Sequence, residues 1–203
     1  AVIGFAKLDG AVIKLRARGG ASEVAQDVIG KVPETLIATE HGLAYEIHPL
    51  GGLNVGLFTD MREHRRGLAR FANGKRVLNL FSYTGSLGLV CAKAGAATVT
   101  NVDTSQGVNA WAAGNFVRAG FESSKDNKRW KFETAEANRF LARAERDKEQ
   151  YDVILIDPPG SSSAGGASWA LGRDYPELIA KACTVISQGG LLWLASNAAE
   201  LGS

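Results

Sequence analysis

The spacing of apolar and polar residues divides the chain into a β-rich beginning and a regular α/β remainder. Short apolar runs flank Asp9-Gly10 and His41-Gly42, so each pair predicts the turn of a hairpin. A short helix is predicted from Ser22, its cap, to Val32. Pro49 and Gly51-Gly52 then interrupt the pattern and predict a boundary. The four predicted strands are Val2–Leu8, Ala11–Ala17, Thr35–Glu40 and Leu43–His48.

Asp60-x-x-Glu63 resembles a capping box and predicts the start of a helix that runs to about Ala72. Strands and helices alternate after this helix. Alternation of this kind favours parallel strands in a doubly wound sheet, whose ligands bind beyond the carboxyl ends of the strands. We therefore expect a small β-rich subdomain at 1–52, a linking helix at 53–75 and an α/β domain at 76–203. The predicted strands are Arg76–Leu80, Thr98–Val102, Trp130–Glu133, Tyr151–Ile156 and Gly190–Ala195, and the helices are Leu87–Ala94, Gln106–Ala119, Glu136–Lys148 and Tyr175–Ser187.

Composition narrows the class of protein without defining it. The chain has 203 residues, is 45% hydrophobic and carries a formal charge of +2, which is typical of a globular, mildly basic protein. Cys91 and Cys183 are far apart and have no neighbours at metal-ligand spacing, so we expect neither a disulfide framework nor a metal site. No apolar run is long enough to span a membrane and no leader is visible, so a cytoplasmic location is expected.

Small and acidic residues follow the first three strands of the α/β domain. The turn after the first strand, Asn79 to Gly88, lets a ligand approach bare backbone at a helix N-terminus, although its spacing is not the dinucleotide fingerprint. Asp103 can hold both hydroxyls of a ribose or cap the next helix. Glu136 can accept from an adenine amino group, with the N–H of Ala137 on a ring nitrogen, or simply favour a first helical turn. Together the first turn and Asp103 favour an adenosine ligand.

The fourth strand ends in Asp157-Pro158-Pro159. Two prolines fix a rigid turn and remove two backbone donors, so Asp157 is held at the strand tip over the ligand crevice. A plain loop terminator is the alternative, but this tripeptide after so apolar a strand favours a site.

These strand ends resemble class I S-adenosylmethionine-dependent methyltransferases. More narrowly, they resemble the large-subunit ribosomal RNA base methyltransferases of the cytosine carbon-5 and guanine nitrogen-7 branch, with their uncharacterised relatives. The resemblance covers about residues 40–197 and implies a Rossmann-like methyltransferase sheet with S-adenosylmethionine as cofactor. The matching stretches are Val77–Gly85, Val102–Gln106, Asp157–Pro159, the entry helix Phe58–Arg65 and Arg173-Asp174-Tyr175.

The same resemblance implies roles for individual residues. Tyr83, Thr84 and Gly85 would surround the methionine part of the cofactor. Asp157, with Pro158 and Pro159, would face the reacting methyl group and the target base. The full set implied at the cofactor is Arg62, Asn79, Phe81, Tyr83, Thr84, Gly85, Asp103, Glu136, Ala137 and Asp157.

The chain departs from the family pattern in three places. Gly160 replaces the usual lysine or aromatic residue, and an aromatic residue would stack on a flipped base. Its absence argues against an adenine or guanine amino group as the methylated position. The fifth strand ends in Ala195-Ser196-Asn197, without the cysteine that covalent attack on cytosine requires, and Cys91 and Cys183 are interpreted as core residues. The Ser-Asn end is closer to the guanine nitrogen-7 branch, in which catalysis is mainly positioning. Because so few residues follow, we expect the C-terminal strands to be missing.

Two groups of basic residues could neutralise RNA phosphates, although a solvated helix face and a charged loop are the alternative interpretation. The Ser- and Gly-rich segment 161–168 follows the proline pair, where a substrate lid would lie, and Trp169 at its end could stack on a base. The basic groups are Arg62, Arg65, Arg66, Arg70, Lys75 and Arg76, and Lys125, Lys128, Arg129 and Lys131.

The sequence therefore predicts an S-adenosylmethionine-dependent methyltransferase that acts on a ribosomal RNA base without a covalent cysteine intermediate. A methyltransferase of a small molecule or a protein is one alternative, since the net charge is weak. A non-catalytic RNA-binding relative is another. A dinucleotide oxidoreductase is more distant, because the glycine spacing is wrong for it.

Overall fold

The computed structural model describes residues 8–15, 25–122, 128–159, 161–162 and 169–196. The chain divides into two compact units, Ala1–Asp60 and Met61–Ser203.

The first unit contains two antiparallel strand pairs. Strand β1 (Gly10–Leu15) pairs with β2 (Ala25–Gly30), and β3 (Leu36–Glu40) pairs with β4 (Leu43–Ile47). The hairpin predicted at His41-Gly42 is confirmed. Both turn residues have positive φ, 49° and 76°, as a two-residue hairpin turn of the primed type requires.

Two predictions in this unit are wrong. The helix expected at 22–32 is replaced over 25–30 by β2, because β-branched residues such as Val28 pair with Val12 of β1. Asp9-Gly10 is not a turn: Gly10 pairs with Gly30, and the Lys31 N–H donates to the Asp9 carbonyl at 2.9 Å. Most of the strand predicted at 2–8 lies outside the described residues.

The second unit starts with the linking helix, as predicted, but not with the predicted cap. A 3₁₀ turn over Thr59–Met61 leads into α1 (Arg62–Leu68), and a second 3₁₀ turn follows over Ala69–Phe71. Asp60 lies within the first 3₁₀ turn, and Met61, which precedes α1, makes no side-chain capping hydrogen bond. The capping-box interpretation is therefore wrong.

A five-stranded parallel sheet forms the centre of the second unit, with strand order β11-β8-β5-β6-β7. This order confirms the doubly wound, Rossmann-like fold. A two-residue strand pair, β9 (Ser161–Ser162) and β10 (Trp169–Ala170), follows β8. The sheet strands are β5 (Arg76–Leu80), β6 (Thr98–Asp103), β7 (Trp130–Thr134), β8 (Tyr151–Ile156) and β11 (Ile186–Leu194), and the helices are α2 (Ser86–Lys93), α3 (Gln106–Arg118), α4 (Ala137–Arg146) and α5 (Leu171–Val185).

Helices cover both faces of this sheet, so its central strands are mainly apolar, with Asn79 and Asn101 as a buried hydrogen-bonded pair among them. Leu78, Leu80, Ile154 and Ile156 pack with residues of α4 and α5 in one buried cluster, while α2 contacts β5 and β6 and α3 contacts β6 and β7. None of the helices in the described part of the chain is both long and apolar enough to cross a membrane.

An ion-pair cluster fixes the strands at their amino-terminal edge. The guanidinium of Arg76 donates to both carboxylate oxygens of Asp152, at 3.1 and 2.9 Å, and to the Ser187 hydroxyl at 2.9 Å. The Arg76 backbone N–H adds a further bond to Asp152 at 2.8 Å. These hydrogen bonds hold the pKa of Asp152 well below its usual range. The cluster joins β5, β8 and β11.

Helix α2 lies close to the sheet because Gly88 has no side chain. A Cβ at Gly88 would collide with Oδ1 of Asn101 and lie 3.0 Å from Cγ1 of Val99. Gly114 in α3 differs, since a Cβ there would have nothing within 4 Å.

We expect Gly88→Ala to destabilise the protein by about 1–3 kcal/mol, because an added methyl group overpacks the contact between α2 and the sheet. Gly114→Ala is the matched control and should stabilise by up to about 1 kcal/mol, since alanine favours helices. Urea unfolding of both variants measures the difference. Equal effects of the two substitutions would contradict the close packing at Gly88.

Candidate active site

The turn between β5 and α2 has an unusual backbone. Phe81, Tyr83 and Gly85 all have positive φ, at 55°, 46° and 74°. For residues other than glycine this conformation costs about 1–3 kcal/mol and is concentrated at functional sites. Hydrogen bonds hold it: the Ser82 N–H donates to the Val102 carbonyl at 3.0 Å, and the Gly85 N–H donates to the Ser82 carbonyl at 2.8 Å.

Asp103 joins this turn to the end of β6. One carboxylate oxygen accepts from the Tyr83 N–H and the other from the Ser105 N–H, each at 3.0 Å. The side chain that caps α3 is Ser105, whose hydroxyl accepts from the Val108 N–H. Asp103 is half-buried, and each of its oxygens keeps a lone pair for a further donor such as a hydroxyl.

Helix α3 supports the turn through residues that the sequence analysis missed. The Asn115 amide donates to the Thr84 carbonyl at 3.1 Å, and the Trp111 ring meets the Tyr83 ring edge-on, with centroids 6.0 Å apart. A Cβ at Gly85 would lie 3.0 Å from Cβ of Ala112. The spacing of residues 111, 112 and 115 places them on one helix face, and this spacing could have indicated their role.

Two polar groups lie buried at or below the turn. The Asn79 amide donates to Oδ1 of Asn101 at 2.9 Å, and the residue is 1% exposed, so it lies within the sheet. The Ser82 hydroxyl is buried and has no hydrogen-bond partner within the described part of the chain. An unpaired buried hydroxyl is costly unless a bound group satisfies it. The turn therefore fits a ligand with polar atoms.

Glu136 follows β7 and caps α4. Its carboxylate oxygens accept from the Asn138 N–H at 3.0 Å and the Arg139 N–H at 2.9 Å. The Asn109 amide ties this region to β6, because it donates to the carbonyls of Asp103 and Glu133 at 3.3 and 3.1 Å. The ends of β6 and β7 are thus held together.

Asp157 lies half-buried at the end of β8, followed by a buried Pro158 and an exposed Pro159. Burial and, secondarily, the negative charge of Asp157 raise the pKa of Tyr175, so the two side chains are electrostatically coupled. The Tyr175 hydroxyl also donates to the Ala195 carbonyl at 3.0 Å, which links α5 to the end of β11. The residue after Pro159 and the segment 163–168 lie outside the described residues.

The carboxyl ends of four neighbouring strands therefore bring the predicted acidic residues to one edge. We call this group the strand-end site: the turn Phe81–Gly85, with Asp103, Glu136 and Asp157. In the order β8-β5-β6-β7, Asp157 stands on one side of the turn and Asp103 on the other. Ligands of open α/β sheets bind at this edge, where the direction of winding changes.

The basic residues predicted to face RNA differ in exposure. Arg65 is only 1% exposed, so its placement at an RNA-facing surface is wrong: it lies on the inner face of α1. Arg129 donates to the carbonyls of Ala96 and Ala97 and stacks over Trp130. Arg66 lies 3.7 Å from Glu63. Arg62, Arg70 and Lys128 are exposed, and Lys125 lies outside the described residues.

The chain belongs to the S-adenosylmethionine-dependent methyltransferase family, which it matches over residues 3–203. A ribosomal RNA large subunit methyltransferase K/L from Shewanella baltica is 38% identical to it over 165 residues. That alignment covers 80% of this chain and 22% of the relative. The chain therefore spans about a fifth of the length of the curated relatives it matches.

Solved structures agree with this assignment. A protein from Streptococcus mutans, described as a SAM-dependent methyltransferase, is 28% identical with a TM-score of 0.80, covering 93% of this chain and 47% of its own. A SAM-dependent methyltransferase from Agrobacterium tumefaciens is 27% identical with a TM-score of 0.79, covering 98% of this chain and 63% of its own. SMU.776, solved in complex with SAH, has a TM-score of 0.82 at 28% identity, covering 93% of this chain and 47% of its own. The predicted family, fold and cofactor class are confirmed.

Capping by Glu136 can be tested through stability. Glu136→Ala should lower the free energy of unfolding by about 1 kcal/mol, because two N–H groups of α4 lose their acceptor. Glu136→Ser should retain most of the stability, since serine is also a good cap. Thermal and urea unfolding measure both variants. Equal losses in the two would argue against capping as the structural role of this side chain.

Proposed function

We propose that this chain carries the methyl-transfer site of an S-adenosylmethionine-dependent methyltransferase that modifies a base of ribosomal RNA. The observation that carries the proposal is the strand-end site, where Asp103 and Asp157 flank a strained, glycine-containing turn in a chain of this family. Relatives named as ribosomal RNA large subunit methyltransferases support RNA as the acceptor.

Cofactor binding is assigned along the edge of the sheet. Tyr83, Thr84 and Gly85 would surround the methionine part, and the free lone pairs of Asp103 would accept from the ribose hydroxyls. Ala137 is the first residue of α4, so no intrahelical carbonyl reaches its N–H and that donor can face the adenine ring. The other residues assigned to cofactor binding are Arg62, Asn79, Phe81, Glu136 and Asp157, with Asn79 acting from within the sheet below the turn.

The chemistry assigned to Asp157 is positioning of the acceptor. When bound, S-adenosylmethionine supplies a methyl group on a sulfonium sulfur. Asp157, fixed by Pro158 and Pro159 beside Tyr175, would hold the target base in line with that methyl group.

The two cysteines support transfer without a covalent enzyme intermediate. Cys91 is fully buried, and burial raises the pKa of its thiol to about 12, so it is not a thiolate at neutral pH. Cys183 is exposed, so its interpretation as a core residue is wrong; it lies near the end of α5, close to the start of β11 and away from the strand-end site. An acceptor with its own lone pair, such as nitrogen-7 of guanine, needs no such nucleophile. Exposed cations, Arg62, Arg66, Arg70 and Lys128 among them, would contact phosphates.

The cofactor assignment is tested by calorimetric titration with S-adenosylhomocysteine. Asp103→Asn should raise the Kd at least tenfold, because an amide replaces one of the two acceptor oxygens and disturbs the turn at Tyr83. Asp147→Asn, which changes an exposed carboxylate paired with Arg146, is the matched control and should leave the Kd unchanged. NAD should not bind. An unchanged Kd in Asp103→Asn would overturn the assignment of Asp103.

The acceptor assignment is tested by transfer of a labelled methyl group to large-subunit ribosomal RNA from cells that lack this protein. Asp157→Asn should reduce transfer by about a hundredfold or more, well beyond its effect on the Kd of S-adenosylhomocysteine, since positioning and charge at the acceptor are lost. If the unaltered chain binds S-adenosylhomocysteine but methylates no RNA, the RNA proposal is overturned. Methylation of a protein or small-molecule fraction would then identify the acceptor.

A further inference from the structure

An open groove of about 310 Å³ lies at the amino-terminal edge of the parallel sheet, opposite the strand-end site. The loop before β5 forms one wall, and the beginnings of β8 and β11 form the other. We call it the amino-edge groove. Its polar and aromatic lining residues are Arg70, Phe71, Asn73, Lys75, Asp152, Ser187 and Gln188.

The groove carries uncompensated positive charge. Arg70 and Lys75 are exposed, and neither side chain makes an ion pair or hydrogen bond with the described residues. Asp152 is the acid among the lining residues, and the bidentate pair with Arg76 neutralises it. An anionic ligand in the groove would therefore meet two free cations and no free carboxylate from the described lining.

An aromatic ring stands beside these cations. Phe71 is 55% exposed, although Leu68 and Ala72 on either side of it are buried in the same segment. Its ring contacts no other aromatic ring in the part of the chain that the structure describes. A flat, exposed ring next to cations provides the stacking surface and charge with which proteins bind single-stranded nucleic acid.

The rest of the lining is suited to hydrogen bonding with bases. Asn73 and Gln188 are both exposed amides, which can donate and accept. A Cβ at Gly189 would have nothing within 4 Å, so the backbone beside Gln188 is accessible. A simple acidic peptide would use the two cations but would gain little from the ring and the amides.

We propose that the amino-edge groove binds a single-stranded segment of the acceptor RNA, with a base stacked on Phe71 and phosphates contacted by Arg70 and Lys75. This inference rests on the proposed function and adds a second RNA contact to it. Strands of five or six residues separate the two edges by about 20 Å. The groove therefore holds a part of the RNA remote from the target base.

The test is fluorescence anisotropy of the chain with mixed-sequence single-stranded RNA oligonucleotides at several salt concentrations. Phe71→Ala should weaken binding about 5- to 100-fold, and Phe71→Tyr should restore it, because stacking depends on the ring. Arg70→Ala with Lys75→Ala should lower the slope of log affinity against log salt by about 1.4, since each lost phosphate contact contributes about 0.7. The matched control, Arg118→Ala with Lys181→Ala, removes two positive charges from α3 and α5 and should change binding little.

The possible results distinguish the groove proposal from the proposed methyltransferase function. Equal losses in the groove variants and in the control would mean that binding depends on net charge, and would overturn the groove. Methyl transfer to ribosomal RNA with an unchanged KM in all groove variants would overturn the groove and leave the proposed function intact. If the unaltered chain neither binds nor methylates RNA, both fail. An acidic peptide is the remaining outcome. If the chain binds such a peptide and Phe71→Ala leaves that binding unchanged, the groove is assigned to a protein partner instead.

Discussion

The carboxylate of Asp103 is the contact on which the strand-end site depends. It accepts one N–H from the strained turn after β5 and one from the start of the α3 segment, so a single side chain fixes two loops from neighbouring strands. Without this double acceptor, the positive φ values at Phe81 and Tyr83 would lose part of the compensation for their strain. The carboxylate oxygens that fix the turn are thus the same atoms that the proposed function assigns to the ribose.

The opposite edge of the sheet is fixed by a different ion pair. Arg76 and Asp152 hold β5 against β8, and the Ser187 hydroxyl adds the start of β11. The two edges are therefore anchored independently, one by a carboxylate with backbone donors and one by a guanidinium with side-chain acceptors.

The sequence predicted the second unit well and the first unit poorly, for physical reasons. The buried parallel strands β5 and β8 each have a short, mostly apolar run that starts abruptly after a polar segment, and both have the predicted bounds. In the first unit, the pairing of β1 with β2 replaces both the turn that Asp9-Gly10 predicted and the helix predicted through residues 25–30. Long-range pairing of this kind is not encoded in the neighbouring residues.

Residue type also left several roles at the site undecided. An acid after a strand suits either a helix cap or a ligand, and only the two N–H contacts identify Glu136 as a cap. A basic cluster on a short helix does not reveal which side chain faces inward, so the burial of Arg65 could not be foreseen. The support from Trp111 and Asn115 depends on the packing of α3 against the turn.

The two cysteines differ in burial, so their rates of reaction with a thiol reagent can report on opening of the fold. Cys91 lies on the buried face of α2, whereas Cys183 is exposed on α5. A thiol reagent should therefore modify Cys183 promptly and reach Cys91 only when α2 separates from the sheet. The ratio of the two labelling rates would measure how often the helix that follows the strand-end turn opens, with the fast site serving as an internal standard in every sample.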